Sequence, residues 1–481
     1  MELFILNIMN ISNFLIMRHE IVLLVLILML LVFEIFTKTE QKKSLIYLAL
    51  GLFAIHTITG FFQTTDGVLF GGSYRTNELI HFFKNILNVG VLIMLLQSVD
   101  WLEKVAHFNK IPEFFILLFS SLIGMYFMIS SGDFLMFYIG LELSTLPLVA
   151  LVAYNSSDIK GNEAAIKLIL SAALASAISL FGMTFIYATG GSIYFETIAA
   201  QLTVSPLAVL GLIFFFSGVA FKISLAPFHF WTADVYEGAP IGITSYLSVI
   251  SKGAAIFILM TILFKVLPVL SVQWKDIVWG VAVLTMFVGN LFALRQKNMK
   301  RYLAFSSIAQ AGFILMGIIN AEQLGASTVI FFVMVYIFSN LGAFGVVQAI
   351  SNATGKENMD DYTGLYRTNP MLSLVLLLSL FSLAGIPPVA GFFGKFFLYT
   401  AAAQKGYYLL VFLAVINVTI SLYYYLLPVR AMFLRKSDDA IPYFKSPILM
   451  RVGLILAIVG IFVLGLYSPV YNYIEELSKM L

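Results

Sequence analysis

The stretch GVAFKISLAPFHFW, residues 218–231, places a lysine and a proline inside an apolar run long enough to enter a membrane. A lysine near the centre of a membrane helix costs about 2.5–3.5 kcal/mol on insertion scales. Pro227 lacks the N–H group that would bond the carbonyl of Ile223, so it predicts a break in the helix. Lys222 and Pro227 together predict an interrupted membrane helix that carries a buried charge.

The whole chain has the composition of a membrane protein. Hydrophobic residues make up 60% of its 481 residues and charged residues 11%, whereas soluble domains have about 45–50% and about 25%. A soluble globule could not hide so much apolar surface, so we expect lipid as the solvent. The net charge of +3 excludes nucleic-acid binding through a basic face.

The chain has no cysteine, which excludes disulfides, iron–sulfur clusters, thiolate metal sites and a cysteine nucleophile. Of the five histidines, only His56 and His229 lie clearly within or at the end of apolar segments, so we expect no histidine pair on membrane helices for haem ligation. We therefore expect no cofactor, no metal and no redox centre bound to this chain.

Apolar windows of about 20 residues predict an all-α polytopic membrane protein with about fourteen transmembrane helices. Residues 1–17 are apolar but contain three asparagines, so they are left outside the spans, and they do not read as a cleaved signal peptide. The predicted spans are 18–36, 43–62, 79–98, 111–130, 133–154, 161–188, 205–229, 240–264, 277–294, 302–320, 325–350, 370–401, 407–429 and 449–470.

The basic residues predict the orientation. They concentrate in the loops opposite the two termini, as in 295–301 and 430–451, while the terminal side carries fewer, among them Arg75 and Lys84. Cytoplasmic loops hold the excess of positive charge. We expect a multi-pass protein of a bacterial plasma membrane, with both termini on the non-cytoplasmic side.

Among the ionisable residues inside the predicted spans we single out five as candidate site residues: Glu142, Lys167, Lys222, Lys252 and Lys395. Lys252 is about 18 Å from the start of its span at about 1.5 Å per residue, too deep for easy snorkelling. Each lysine alone could be a structural contact to a carbonyl, and Lys167 has Glu163 one turn earlier for a simple helix ion pair. A buried lysine near a glutamate can also hold or release a proton according to their separation, so several in line predict a relay.

A second break is predicted at Pro387 and Pro388, which leave the carbonyls of Leu383 and Ala384 without their helical partners. Broken helices at matching places in two halves are typical of inverted-repeat transporters. The lysine precedes the break at Lys222 and follows it at Lys395. We interpret this reversed order as the expected product of an inverted repeat.

Three segments resemble the antiporter-like, proton-translocating subunits of respiratory complex I (NADH–quinone oxidoreductase): FKISLAPFHFWTADVYEGAP (221–240), NMKRYLAFSSIAQAGFILMG (298–317) and SLAGIPPVAGFFGKFFLY (382–399). The resemblance covers about 110–430. It is greatest for the N-type subunits, which have a DVYEGAP-type loop, as in 234–240, and a lysine at the position of Lys395, where M-type subunits typically have glutamate. The chain is also too short for an L-type subunit.

The resemblance implies two inverted five-helix repeats with broken helices 7 and 12. The implied division is 1–110 for helices 1–3, 111–267 for the first repeat, 268–436 for the second and 437–481 for helix 14. It also implies a proton relay in which Glu142 modulates Lys222, Lys252 is the central connection and Lys395 lies on the exit side. Lys167 would belong to the Glu142–Lys222 linkage. His229 would be a connecting polar group, a helix cap or an interface histidine.

As a complex I membrane-arm subunit, the chain would move protons while other subunits bind NADH, FMN, iron–sulfur clusters and quinone. Its partners would be M-, K- and L-type membrane subunits and the lipid bilayer. Three alternatives remain. The first is a D-type subunit of a multi-subunit Na⁺/H⁺ antiporter or a membrane-bound hydrogenase, the second a structural scaffold, and the third a solitary solute carrier.

Overall fold

The computed structural model describes residues 15–36, 42–62, 65–104, 110–155, 157–436 and 440–481. Within these ranges, twelve helices are long and apolar enough to cross a membrane. The shorter apolar helices Lys43–Thr59 and Pro370–Ala384 add two more spans. The predicted all-α polytopic fold with about fourteen spans is confirmed. The prediction for residues 1–17 falls mostly on 1–14, which lie outside the described residues.

The spans follow one another as α1 to α14, and three of them have two helical segments. They are α1 Arg18–Phe36, α2 Lys43–Thr59, α3 Glu78–Lys104, α4 Ile111–Ile129, α5 Phe134–Leu143 and Leu146–Val152, α6 Ile159–Gly190, α7 Pro206–Ile223 and Phe230–Gly238, α8 Ile241–Val266, α9 Ser271–Ala293, α10 Met299–Ile318, α11 Gln323–Thr354, α12 Pro370–Ala384 and Ala390–Gln404, α13 Tyr408–Leu434, and α14 Ile448–Leu466. A final amphipathic helix, α15, is Pro469–Leu477.

Helices α8, α10 and α11 form the centre of the protein. Each buries 89% to 94% of its most apolar stretch, whereas α1, α6, α13 and α14 bury 33%. The outer helices expose large apolar side chains, such as Leu170 and Leu174 on α6. Apolar side chains can face outward here because lipid, unlike water, does not penalise them.

The first segments of α7 and α12 end with the same hydrogen-bond pattern. Ser224 (φ 67°) and Gly385 (φ 87°) are both left-handed. The next residue bonds back to a carbonyl five positions earlier, Leu225 to Ala220 and Ile386 to Phe381. This is the Schellman helix end, which satisfies carbonyls that the interrupted helix would leave free. The predicted breaks at Pro227, Pro387 and Pro388 are thus confirmed.

The matching helix ends correct the interpretation of the lysine order. The two breaks run in the same chain direction, with Ser224 equivalent to Gly385, because an inverted repeat keeps its sequence order and reverses only its orientation in the membrane. In the division that the resemblance implies, each repeat has five helices, which is an odd number. The second repeat, α9 to α13, then begins on the opposite face from the first, α4 to α8. Lys222 and Lys395 therefore lie on different segments of equivalent helices, and inversion does not explain their order.

Helix α5 contains a third break, although the sequence predicted one continuous span over 133–154. Pro147 has no N–H group to bond the carbonyl of Leu143, and the helix stops at Ser144 and Thr145 before it resumes. Close packing of α4 on this break requires glycine. A Cβ on Gly124 would lie 2.3 Å from the Ser144 nitrogen. This contact brings the α5 break against the middle of α4.

A small antiparallel hairpin lies between α2 and α3, with strands β1 Gly67–Leu69 and β2 Tyr74–Thr76. Tyr74 also bridges to Ser131, next to the start of α5. The face of the protein that carries this hairpin, the start of α1 and the helix α15 is called the hairpin face below. The cytoplasmic side was predicted to be the other face.

Candidate functional site

Three predicted relay lysines are buried inside the helix bundle. The exposed fraction is 7% for Lys222, 2% for Lys252 and 3% for Lys395. Their side chains do not snorkel to a face. None of the three forms an ion pair within 4.0 Å among the described residues, and each donates its hydrogen bonds to neutral oxygen atoms. A charge at such depth without a carboxylate in contact is costly, which favours a functional role.

Lys222 bonds to the break in α5. Its Nζ atom donates to the hydroxyl oxygens of Ser144 (2.8 Å) and Thr145 (2.6 Å). Glu142 lies just before this break, where it is half-buried and acts on Lys222 electrostatically without direct contact. Glu142 and Lys222 therefore interact through space, and the two hydroxyls take two of the three donor positions of the ammonium group.

Lys252 lies at the centre of the bundle, directly after the π-helical segment Leu247–Ser251 of α8. Its Nζ atom donates to the Ser307 hydroxyl on α10 at 2.8 Å and lies 5.5 Å from the ring of Tyr236. A π-helical turn widens a helix locally and is frequent at functional sites. Lys252 is thus held by hydroxyl and ring groups from α7 and α10.

A chain of hydrogen bonds leads from the Lys252 neighbourhood to α12. Ser306, next to Ser307, contacts the Tyr425 hydroxyl at 2.5 Å. Gln310, one turn further along α10, donates to that hydroxyl and to the carbonyl of Leu383, both at 2.9 Å. Lys395 donates to the same carbonyl. A neutral polar path therefore connects the centre to the broken helix.

The carbonyl oxygens that bind Lys395 are those that the two prolines release. Its Nζ atom lies 2.7 Å from the Leu383 oxygen and 3.1 Å from the Ala384 oxygen. Pro387 and Pro388 cannot bond these carbonyls, so the lysine takes the place of two missing N–H groups. The Phe313 ring, 4.8 Å from Nζ, covers the ammonium group.

Lys167 is not where the resemblance implied. It forms ion pairs with Glu163 and Asp234, both at 2.8 Å, and its side chain is 43% exposed. The structure confirms the predicted Glu163 pair but does not place Lys167 between Glu142 and Lys222. Arg301 also binds Asp234, at 2.7 Å, so Lys167 belongs to a charged cluster at the face opposite the hairpin.

His229 starts the second segment of α7 and is 7% exposed. It lies within electrostatic range of Lys252 and stacks on Phe230 at 4.5 Å. Its Nδ1 atom has no hydrogen-bond partner among the described residues. The ring makes no capping hydrogen bond to the second segment of α7.

A polar cavity of about 160 Å³ opens on the face opposite the hairpin. It lies where α5, α7 and α11 end and α8 and α10 begin. Its polar lining includes Asn155, Asp158, Lys300, Gln348 and Glu357. The cavity therefore offers water a way in above the central helices.

Sequence reasoning missed the neutral members of the site, namely Ser144, Thr145, Ser307, Gln310 and Tyr425. Pro147 was a visible signal for the α5 break, but isolated hydroxyl and amide groups in a span carry no mark of their partners. It also placed Lys84 with the terminal-side loops. That assignment was wrong, because Lys84 lies within α3 and is fully buried against Glu20 at 2.6 Å. Within the described ranges no group of His, Asp and Glu could hold a metal ion.

Comparison with known proteins agrees with this architecture. The family described as "NADH:quinone oxidoreductase/Mrp antiporter, TM" matches residues 131–421. NADH-quinone oxidoreductase subunit N of Phocaeicola vulgatus is 46% identical over 469 residues, which cover 97% of this chain and 99% of that protein.

Two solved structures share the fold. A chain of respiratory complex I from Thermus thermophilus with bound aureothin has a TM-score of 0.78 and 30% identity, and the match covers 94% of this chain and 97% of that one. A chain of the Mrp complex from Dietzia sp. DQ12-45-1b has a TM-score of 0.86 with 98% and 97% covered, but at 20% identity it shows the fold alone. The chain belongs to the NADH:quinone oxidoreductase/Mrp antiporter membrane-subunit family, in its subunit N branch.

Proposed function

We propose that this chain moves protons across the membrane as the N-type membrane-arm subunit of an NADH–quinone oxidoreductase. The observation that carries the proposal is the set of three buried lysines that bond only neutral oxygens. Such lysines can be charged or neutral without breaking an ion pair, because hydroxyl oxygens accept from an ammonium group and donate to a neutral amine. This versatility is what a proton relay needs.

The proposed route has three steps. Glu142 acts electrostatically on Lys222, and the ammonium group of Lys222 donates hydrogen bonds to the hydroxyls of Ser144 and Thr145. Lys252 takes the middle position beside Ser307, and we assign the connecting role to His229, which lies within electrostatic range of Lys252. The proton then passes along Ser306, Tyr425 and Gln310 toward Lys395, and water bridges the remaining gaps. We assign Lys167 an outer role, in the charged cluster at the opposite face.

The energy would come from quinone reduction in other subunits. We propose that NADH, FMN, iron–sulfur clusters and quinone are bound there, since this chain has no cysteine to ligate a cluster. Glu142 is half-buried on a membrane helix, and a carboxylate at this depth suits coverage by a neighbouring subunit. We propose M-, K- and L-type subunits as the neighbours.

We also propose a place and an orientation. The basic loops opposite the hairpin face favour a bacterial plasma membrane in which both termini lie outside the cytoplasm. The polar cavity near Lys300 would then open to the cytoplasm and serve as the entrance for protons.

The test uses Lys252→Arg and Lys252→Met in the whole complex, reconstituted in liposomes that report internal pH. Arginine keeps the charge and donors but does not release its proton. We expect both variants to assemble and their coupled proton uptake to fall at least about tenfold. This is a conservative figure, because loss of a proton-transfer group usually slows a reaction by about 100-fold or more. Normal pumping by Lys252→Arg would show a purely structural charge and overturn the relay.

Lys479 provides a matched control, because this lysine lies at the hairpin face near the C-terminus and outside the site. Lys479→Arg and Lys479→Met should leave pumping unchanged. The same liposomes with a sodium ionophore test the antiporter alternative. If transport is abolished by the sodium ionophore but persists with a protonophore, the transported ion is sodium and the proton proposal is wrong.

A further inference from the structure

A second group of buried ionisable side chains lies at the hairpin face, where α1, α2 and α3 meet. Lys84 on α3 is 0% exposed and donates to Glu20 on α1 at 2.6 Å. The Tyr74 hydroxyl in β2 contacts both, at 3.0 Å from each. The pair is electrically neutral as a whole, yet each member is a proton donor or acceptor within the protein.

Three histidines surround this ion pair. The ring of His19 lies 5.3 Å from that of His56 and 5.5 Å from that of His81, between centroids. All three are at most 4% exposed. Together with Glu20 and Lys84 they are called the α1–α3 cluster below. The other titratable groups that face it are Arg18 on α1, Tyr74 on β2 and Tyr126 on α4.

Several polar atoms of this region have no partner among the described residues. They are both ring nitrogens of His19, Oε2 of Glu20, Nδ1 of His81 and Nδ2 of Asn85. A buried polar atom without a partner costs about 1–3 kcal/mol, and proteins usually satisfy such atoms with ordered water. The Oε2 atom of Glu20, Nδ1 of His81 and one ring nitrogen of His19 are acceptors that can bind a proton, whereas Nδ2 of Asn85 only donates.

The cluster lies beside a route to the outside. A cavity of about 800 Å³ at the hairpin face is lined by Arg75, Thr76, Asn77 and Ile80, the neighbours of Tyr74 and His81. Arg75 pairs with Glu196 across this cavity, and their hydrogen bond lowers the pKa of Glu196 below its ordinary value. His81 also contacts the carbonyl of Thr65, at 3.2 Å, in the loop before the hairpin.

In the other direction, polar groups lead from the cluster toward Lys222. Asn88 contacts His56 at 3.3 Å and accepts a hydrogen bond from the Tyr126 hydroxyl. Tyr126 is within electrostatic range of Tyr246 on α8, without a direct hydrogen bond between the two hydroxyls. A proton needs a water molecule to cross that gap.

The route continues on the far side of the gap. Tyr246 donates to the Ser121 hydroxyl at 3.4 Å, and Ser121 donates to the carbonyl of Ser144 at 3.1 Å. The Ser144 hydroxyl accepts from Lys222. Every group along this route is buried, and the last residue, Ser144, binds the relay lysine. Because the Ser144 carbonyl has no proton to pass on, a water molecule must carry the proton from Ser121 to the Ser144 hydroxyl.

We propose that the α1–α3 cluster is a second proton-binding site, which exchanges protons between the hairpin face and the Lys222 site through Asn88, Tyr126, Tyr246 and Ser121. The inference rests on the proposed function, because it takes the Lys222 site to move protons. In this assignment the first three helices are a branch of the proton route and more than a scaffold for it.

The first test removes both charges of the pair together, as Glu20→Gln with Lys84→Met in the whole complex, so that no unpaired charge stays buried. Proton uptake into liposomes should fall at least about tenfold, less than the usual effect of losing a proton-transfer group. The matched control is Glu322→Gln with Lys405→Met, an exposed ion pair on the same face. Pumping equal to that control would overturn the proposal.

The second test keeps its meaning if the double variant does not assemble. Tyr246→Phe removes only the hydroxyl that bonds Ser121. Tyr362→Phe is its control, because the Tyr362 hydroxyl is equally buried and bonds no other group in the part of the chain that the structure describes. Tyr246→Phe should assemble and pump at least about fivefold more slowly, a change of about 1 kcal/mol. Normal pumping would overturn the branch.

Lys222→Ala separates the two proposals. If Lys222→Ala is impaired while Tyr246→Phe and the double variant pump normally, only the branch fails. If Lys222→Ala itself pumps normally, the proposed function fails and the branch fails with it.

Discussion

The Nζ atom of Lys222 lies 2.6 Å from the hydroxyl oxygen of Thr145, in the break of α5. Glu142, three positions earlier, acts on the lysine only through space. The partner of the buried charge is therefore a neutral group, and the nearby acid adjusts it without neutralising it. Because hydroxyls bind Lys222 and Glu142 acts on it only at a distance, the lysine can lose its proton without breaking an ion pair to a buried carboxylate.

Lys222→Ala should lower coupled proton translocation at least about tenfold while the complex still assembles, because the alanine has no proton to pass on. Pumping in liposomes and quinone reduction measure the effect. Lys160→Ala is the control, since Lys160 lies on α6 with its side chain 75% exposed. Equal rates for the two variants would contradict the role of Lys222.

Glu142→Gln should have a smaller effect, a loss of about three- to tenfold, because the glutamate acts at a distance and tenfold corresponds to about 1.4 kcal/mol. The measurement is the same pumping assay with the assembled complex. Glu163→Gln, which removes an exposed carboxylate paired with Lys167, should leave the rate unchanged. A loss as large as that of Lys222→Ala would mean direct proton transfer by Glu142.

Lys395→Glu should keep more activity than Lys395→Ala, because a protonated carboxyl can donate to the carbonyls that Lys395 now binds. An ionised carboxylate would face those oxygens with no donor. The activity of Lys395→Glu relative to the unaltered protein should therefore fall as the pH rises. A pH profile of quinone reduction checks this, and a flat ratio would count against hydrogen bonding to the free carbonyls.

Lys84→Met should destabilise the protein by about 3–5 kcal/mol, because Glu20 is then buried without its ion pair. Adding Glu20→Gln to this variant should recover much of the lost stability, because no unpaired charge then stays buried. Thermal unfolding and the yield of assembled complex measure both. If the double variant were the less stable of the two, the buried pair would not be the source of the effect.

Gly391→Ala should prevent α12 from packing normally. An added Cβ would lie 1.7 Å from the Ser382 oxygen, a backbone atom that cannot move aside. We expect the stability of the folded protein to fall by about 1–3 kcal/mol or more, which would lower the yield of assembled complex. Gly51→Ala is the control, since its Cβ meets nothing within 4 Å. Normal yield for Gly391→Ala would show that the break can rearrange.

Composition and spacing were enough to predict the spans, the breaks at Pro227, Pro387 and Pro388, and the buried lysines. These features are local along the chain. An apolar run of sufficient length must be helical in lipid, because its backbone groups have no other partners, and a proline removes a known hydrogen bond. A lysine within such a run is unusual wherever the helix lies.

Partners across helices depend on how the helices pack, and packing is not local. Nothing in the chain marks Ser307 as the partner of Lys252, or joins Glu20 to Lys84 on another helix. The sequence allowed Lys167 either a relay role or an ion pair with Glu163, and only the structure shows that its pairs with Glu163 and Asp234 hold it at the face opposite the hairpin. Side chains from distant segments meet only when the helices associate, so the hydrogen-bonded route and the α1–α3 cluster arise from the tertiary fold alone.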